Sequence, residues 1–364
     1  MRKLLLGVLC CALLTADSLA AAQERVVNVY NWSDYIDPQV LANFTKDTGI
    51  RVQYDTFDAN ETLETKLLAG KSGYDVVVPT GYFLERQIKA GVFATLDKSK
   101  LPNLVNAWPE ISKRLAAYDP GNAHAVNYMW GTTGIGYNVK AVHQRLGANT
   151  SIDSWDVVFK PELIAKFADC GVMMLDSVDD IVPAALHYLK LDPNSTKPQD
   201  LDKAAALLAK ISPSVRKFHS SEYINALASG EVCLVVGWSG DIKQAQKRAA
   251  EAKNTIEIGY AISKEGAQMW FDNLAMPKDA PHPAEAYAFI DYLMRPDVAA
   301  KNSNFVSYAN GNLASQNFID KSVLDDRGIY PDAAMMAKLY TVGSRDQRAQ
   351  RLLNRLWTRI KTGE

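Results

Sequence analysis

The chain has 364 residues and a near-balanced charge, 40 Lys and Arg against 41 Asp and Glu, for a net −1. That balance supplies no basic face for nucleic acid. The length exceeds what one hydrophobic core usually supports, so two lobes are expected.

Residues 1–22 read as an export signal. Arg2 and Lys3 form its positive start, Leu4 to Leu14 its apolar stretch, and Ala20-Ala21-Ala22 a small-residue cleavage site. The apolar run is short for a bilayer span, and Leu9 before Cys10 argues against lipid attachment there. The mature chain is expected to be soluble and exported. It keeps two cysteines, Cys170 and Cys233. In an oxidising compartment a disulfide is the first expectation and two buried thiols the alternative. A zinc site is not supported, because no His lies near either Cys in the sequence.

The first element is a valine-rich strand from Val26, ending at Tyr30-Asn31. A loop of Trp32, Ser33, Asp34 and Tyr35 follows, then a helix start with Asp37 as N-cap and Pro38 in the first turn. The spacing predicts a helix over Pro38–Thr48 stopped by Gly49, a strand over Ile50–Phe57, and a helix from Asn60 to Ala69. Tyr74–Pro79 reads as a central strand, with Thr80-Gly81-Tyr82 as its end loop and a helix from Phe83 to Ala90. This alternation predicts a parallel sheet with crossover helices.

Asn127 to Val139 is an extended run with three glycines, suited to a strand that crosses between lobes. A strand over Gly171–Leu175 ends in the acids Asp176, Asp179 and Asp180, and a helix is expected over Pro183–Leu191. Cys233–Gly237 is another buried strand, and Trp238-Ser239-Gly240-Asp241 opens the helix after it. Ile256–Ile262 is expected to be the return crossing, Gln268–Pro277 a strand in an aromatic setting, and Pro283–Met294 a helix stopped by Arg295-Pro296. Ser307–Asn312 reads as a turn with an exposed Tyr308. Asp346–Lys361 reads as an amphipathic helix whose arginine side, from Arg345 to Arg359, is a solvated face. The expected division is 23–131 with 254–305 for the first lobe and 132–253 with 306–364 for the second.

Enzymatic motifs fail on inspection. Gly237-Trp238-Ser239-Gly240-Asp241 has Asp241 where a nucleophile elbow needs Gly. Gly70-Lys71-Ser72 ends a helix, and Thr65 stands where a phosphate loop needs its first Gly. The five histidines make no metal-spaced pair.

What recurs is an aromatic beside an acid at strand ends: Trp32 and Tyr35 with Asp34, Trp238 with Asp241, and Trp270 with Asp272. Asp179, Asp180, Thr80 and Tyr82 sit at two further strand ends. Singly, each has a plain reading: Asp241 as an acid favoured at a helix start, Trp270 as core. Together, on both passes of the chain, they describe a cleft of carboxylates and rings with no arginine nearby. Such a cleft rejects anions and fits a methylene chain with an ammonium at each end. A buried ammonium needs its own acid.

The segments VYNWSDYI, DVVVPTGYFLERQ, SSEYINALASGEVC, VGWSGD, FDNLAMP and SYANGN resemble those of the polyamine-binding periplasmic proteins of bacterial ABC importers, within the class II solute-binding superfamily. The resemblance spans the mature chain. It implies an α/β fold of two lobes joined by two crossover strands that hinge over a cleft, the periplasmic binding protein fold. It implies ligand contacts from Trp32, Ser33, Asp34, Tyr35, Thr80, Tyr82, Asp180, Trp238, Asp241, Trp270, Asp272 and Tyr308. It also implies a Cys170–Cys233 disulfide, an inner-membrane ABC permease as partner, and a monomer without cofactor. Putrescine binders of that family carry a smaller residue at the Tyr82 position and Phe at the Trp270 position, so the bulkier pair here points to spermidine, with putrescine the alternative. A polyamine-sensing subunit shares the same cleft. A secreted carboxylate hydrolase is the competing class.

Overall fold

A computed structural model describes residues 24–148 and 150–363. The expected export signal lies outside them. Among the described residues ten strands form one continuous sheet: β1 (Val26–Trp32), β2 (Arg51–Phe57), β3 (Val76–Val77), β4 (Ala125–Asn138), β5 (Val172–Met174), β6 (Lys217–Phe218), β7 (Leu234–Trp238), β8 (Ile258–Ala261), β9 (Met269–Ala275) and β10 (Ala309–Asn310). The order is β2-β1-β3-β9-β4-β7-β5-β6, with β8 and β10 also paired to β4.

β4 divides this sheet into two lobes. Its first part, Ala125–Thr132, lies antiparallel to β9, and its second part, Thr133–Tyr137, lies antiparallel to β7. Within each lobe the neighbouring strands run parallel: β1 with β2 and β3, and β5 with β6 and β7. The helices expected between them are present, and their local signals explain them. Asp37 accepts from the Gln39 N–H at 2.8 Å to cap Pro38–Thr48, and Gly49 at φ 69° ends that helix.

Several elements differ from the sequence reading. β8 pairs with Ile135–Asn138, in the second part of β4, on the edge opposite β7, and the chain reaches the first part of β4 only with β9. β10 pairs with Met129–Trp130, on the first lobe's side. The helix expected at Pro183 begins at Val178 and takes Asp179 and Asp180 into its first turn. The helix from Pro283 ends at Leu293, just before Arg295-Pro296 as expected, and Pro296 is also the first residue of a further helix, Pro296–Val306.

Cys170 and Cys233 are bonded, with Cα atoms 5.7 Å apart, and tie the turn two residues before β5 to the residue just before β7. Tyr308 is buried rather than exposed, at 1 % accessibility. Among the described residues no helix is long and apolar enough to cross a membrane.

Candidate functional site

The carboxyl ends of parallel strands from both lobes face one cavity, the usual ligand position in open α/β sheets. Its lining atoms surround about 560 Å³ of non-atom space, part of it open to solvent. All twelve residues expected at the ligand line it: Trp32, Ser33, Asp34, Tyr35, Thr80, Tyr82, Asp180, Trp238, Asp241, Trp270, Asp272 and Tyr308. Phe57, Asp58, Asn60, Ser220, Ser221 and Ile224 complete the wall. None of these six was expected at the ligand, although Ser220, Ser221 and Ile224 fall in the segment SSEYINALASGEVC that carries the resemblance.

Three carboxylates are buried here, and each is held by donors. Asp272, on β9, accepts from Tyr35 Oη at 2.9 Å and from Thr80 Oγ1 at 2.6 Å. Asn60 in turn donates to Thr80 Oγ1 at 2.9 Å. Asp241, in the first turn of the helix Ser239–Glu251, accepts from Tyr223 Oη at 2.6 Å and Tyr308 Oη at 2.7 Å. Asp180 accepts from Thr133 Oγ1 at 2.5 Å, Ser177 Oγ at 2.6 Å and Trp238 Nε1 at 3.3 Å. Tyr223 and Thr133, 18 and 47 positions from the acids they serve, were not expected as site residues, and neither was Ser177, three positions before Asp180.

Burial dominates the electrostatics. It pushes the Asp272 carboxyl up to about 7, against the bonds from Thr80 and Tyr35, with the charges of Asp180 and Asp241 adding to the rise. It pushes Asp241 up to about 6, against the bonds from Tyr223 and Tyr308. Asp180 is raised for the same reason. The Tyr35, Tyr82, Tyr223 and Tyr308 phenols are raised well above their ordinary value, chiefly by burial, so they stay neutral donors. Carboxyls whose ionisation is this costly gain most from a cation placed among them.

Rings form a collar around the acids. Trp32 meets Trp238 edge-on at 5.8 Å, Trp238 meets Trp270 at 6.3 Å, Trp270 meets Tyr308 at 5.4 Å, and Tyr308 meets Tyr35 at 5.2 Å. The collar takes members from both lobes. The Trp270 indole lies against β4 only because position 131 is Gly: a Cβ there would sit 2.7 Å from Trp270 Cζ2.

Two expectations need correction. Asp34, the acid set between two rings in the sequence, adopts φ 55° and pairs with Arg248 Nη2 at 3.0 Å. It lies on the cavity rim with its charge already matched, and the acid that Tyr35 serves is Asp272. Arginines are also close by: besides Arg248, Arg345 is buried against Asp179 instead of lying on a solvated face.

Residues 39–329 match the family described as bacterial extracellular solute-binding protein. The putrescine-binding periplasmic protein SpuD of Pseudomonas aeruginosa is 51 % identical over 357 residues, 97 % of each chain. The putrescine-binding periplasmic protein PotF of Escherichia coli is 49 % identical, over 100 % of this chain and 99 % of that one. The spermidine/putrescine-binding periplasmic protein of Escherichia coli is 34 % identical, over 86 % of this chain and 85 % of its own. A solved structure titled a putative spermidine/putrescine ABC transporter from Listeria monocytogenes superposes with a TM-score of 0.83 at 29 % identity, covering 93 % of this chain and all of that one. These relatives are binding proteins of transport systems rather than enzymes. The chain belongs to the bacterial extracellular solute-binding protein family, and its fold is that family's two-lobed one.

Proposed function

We propose that this chain captures a polyamine in the periplasm and delivers it to an inner-membrane ABC permease, acting as a monomer. The observation that carries the reading is the set of three buried carboxylates, Asp180, Asp241 and Asp272, inside a collar of aromatic rings. Each acid accepts hydrogen bonds from neutral hydroxyl or indole donors and, among the described residues, from no Lys or Arg. An ammonium gains a carboxylate and ring faces there, and the rings cover the methylenes between ammonium groups. An anion would meet only repulsion.

Putrescine is the favoured ligand, since SpuD and PotF, both near 50 % identical, carry that ligand in their names. This displaces the expectation of spermidine. That second reading keeps one observation in its favour, the bulky Tyr82 and Trp270 in the cavity wall. Raised carboxyls are also what a hydrolase would use, but family membership favours binding. Calorimetric titration of the ligand-stripped protein with putrescine, spermidine, glutamate and inorganic phosphate tests the proposal. Tight binding of putrescine, weaker binding of spermidine and no heat with the anions is the expected result. Binding of an anion, or of neither amine, would refute it.

A further inference from the structure

Asp179 directly precedes the cavity-lining Asp180 but does not itself reach the cavity. It is 2 % exposed, and its partner Arg345 is 4 % exposed at the side chain. Arg345 ends a segment that spans both lobes. In that segment the Val342 carbonyl accepts from Tyr118 Oη at 2.9 Å, the Gly343 N–H donates to Asn194 Oδ1 at 2.9 Å, and the Ser344 N–H donates to Glu85 Oε2 at 2.9 Å. The segment is therefore fastened without Arg345.

The guanidinium contacts Asp179 through Nη1 alone. Its Nε and Nη2, and Asp179 Oδ2, have no hydrogen-bond partner among the described residues. A guanidinium placed to lock a segment uses its two-pronged fork. This one leaves most donors unused, so the position supplies charge more than hydrogen bonding. The Asp179 charge is felt at the cavity wall, where it raises the Asp180 carboxyl and the Tyr82 phenol.

We propose that Arg345 is a specificity-determining residue acting through Asp179. By opposing a fourth buried carboxylate behind Asp180, it limits the negative charge that reaches the cavity and sets the preference between ligands with two and with three ammonium groups. The inference rests on the polyamine reading above. The pull of any uncompensated charge scales with ligand charge. Unmasking Asp179 therefore favours a triammonium ligand over a diammonium one, and unmasking Arg345 does the reverse.

The test measures putrescine and spermidine affinities at pH 7.5 for the wild-type protein, Arg345→Gln, Asp179→Asn and the double variant D179N/R345Q. The ratio of spermidine to putrescine affinity should rise at least threefold in Arg345→Gln and fall at least threefold in Asp179→Asn. It should return to the wild-type value in the double variant, whose two amides keep the shape of the pair. Simple structural damage would not move the ratio in opposite directions. Ratios that stay unchanged or move the same way would overturn the inference. If either single variant does not fold, D179N/R345K against D179N/R345Q gives the same one-charge contrast. The lysine variant should then show the lower ratio, and equal ratios would overturn the inference. A wild-type protein that binds neither amine overturns the polyamine reading itself, whereas amine binding with an unmoved ratio overturns only this assignment.

Discussion

Replacing Asp272 by Asn removes one negative charge and almost no volume. In the unliganded protein burial pushes this carboxyl up to about 7 from an ordinary 3.8, so its ionised form costs about 4 kcal/mol. The sign follows from linkage. A carboxyl raised in the folded state holds its proton longer there than in the unfolded chain, so stability falls as pH climbs from about 4 to about 7 and stays low above that. Asn carries no such penalty. Poorer pairing with Tyr35 and Thr80 costs about 1 kcal/mol, leaving the ligand-free variant more stable than wild type at pH 8 by about 3 kcal/mol. At pH 4 the gain should vanish. Binding should move the other way, since an ammonium deprived of its buried partner loses about 2–5 kcal/mol, a thirtyfold weakening or more. Thermal unfolding of the stripped proteins at both pH values, paired with polyamine titration, reads both effects. A variant that binds normally, or whose ligand-free stability at pH 8 equals or falls below wild type, would refute the reasoning.

Three further outcomes are expected. Trp270→Phe should weaken spermidine more than putrescine, because the smaller ring covers less of the longer chain; equal losses measured by calorimetry would remove Trp270 from ligand selection. Gly131→Ala places a methyl group 2.7 Å from the Trp270 ring, a clash that costs about 1–3 kcal/mol and pushes the indole into the cavity, so putrescine affinity should drop at least tenfold; unchanged affinity would contradict the seating of Trp270 on β4. Reducing the Cys170–Cys233 bond, which closes 63 residues, should cost about 4 kcal/mol on the chain-entropy account and lower the melting temperature; two titratable thiols in the native protein would contradict the bond.

Local signals were legible and distant partners were not. Asp37, Pro38 and Gly49 specify a helix through their own backbone preferences, and that helix has the expected ends. Pro183 was read as a helix start, yet the chain before it is already helical, because packing of an all-buried first turn outweighs the lost N–H. Arg295-Pro296 punctuates correctly but between two helices. At the site, strand ends and residue types pointed to eleven of the wall residues, and only the family resemblance added Tyr308. Which acid serves which donor was hidden: Asp34 finds Arg248, 214 positions away, and Tyr35 finds Asp272, 237 away. Tyr308 looked exposed in a polar turn. It is buried because its hydroxyl reaches Asp241 and its ring fits against Gly240. Arg345 was read with the arginines of the helix after it, and only the placement of its segment over Asp179 takes it out of solvent.

The most direct test of the account counts protons. At pH 6.5, with Asp272 near 7 and Asp241 near 6, the ligand-free cavity holds about one proton on this pair. A polyamine that binds these acids as carboxylates must expel it. Calorimetric titration with putrescine in two buffers of different ionisation enthalpy measures that number. Release of about one proton per ligand at pH 6.5, falling toward zero at pH 8.5, is the predicted result. Binding with no proton release at pH 6.5, or with uptake, would contradict the claim that the buried carboxylates are the ligand's ion partners.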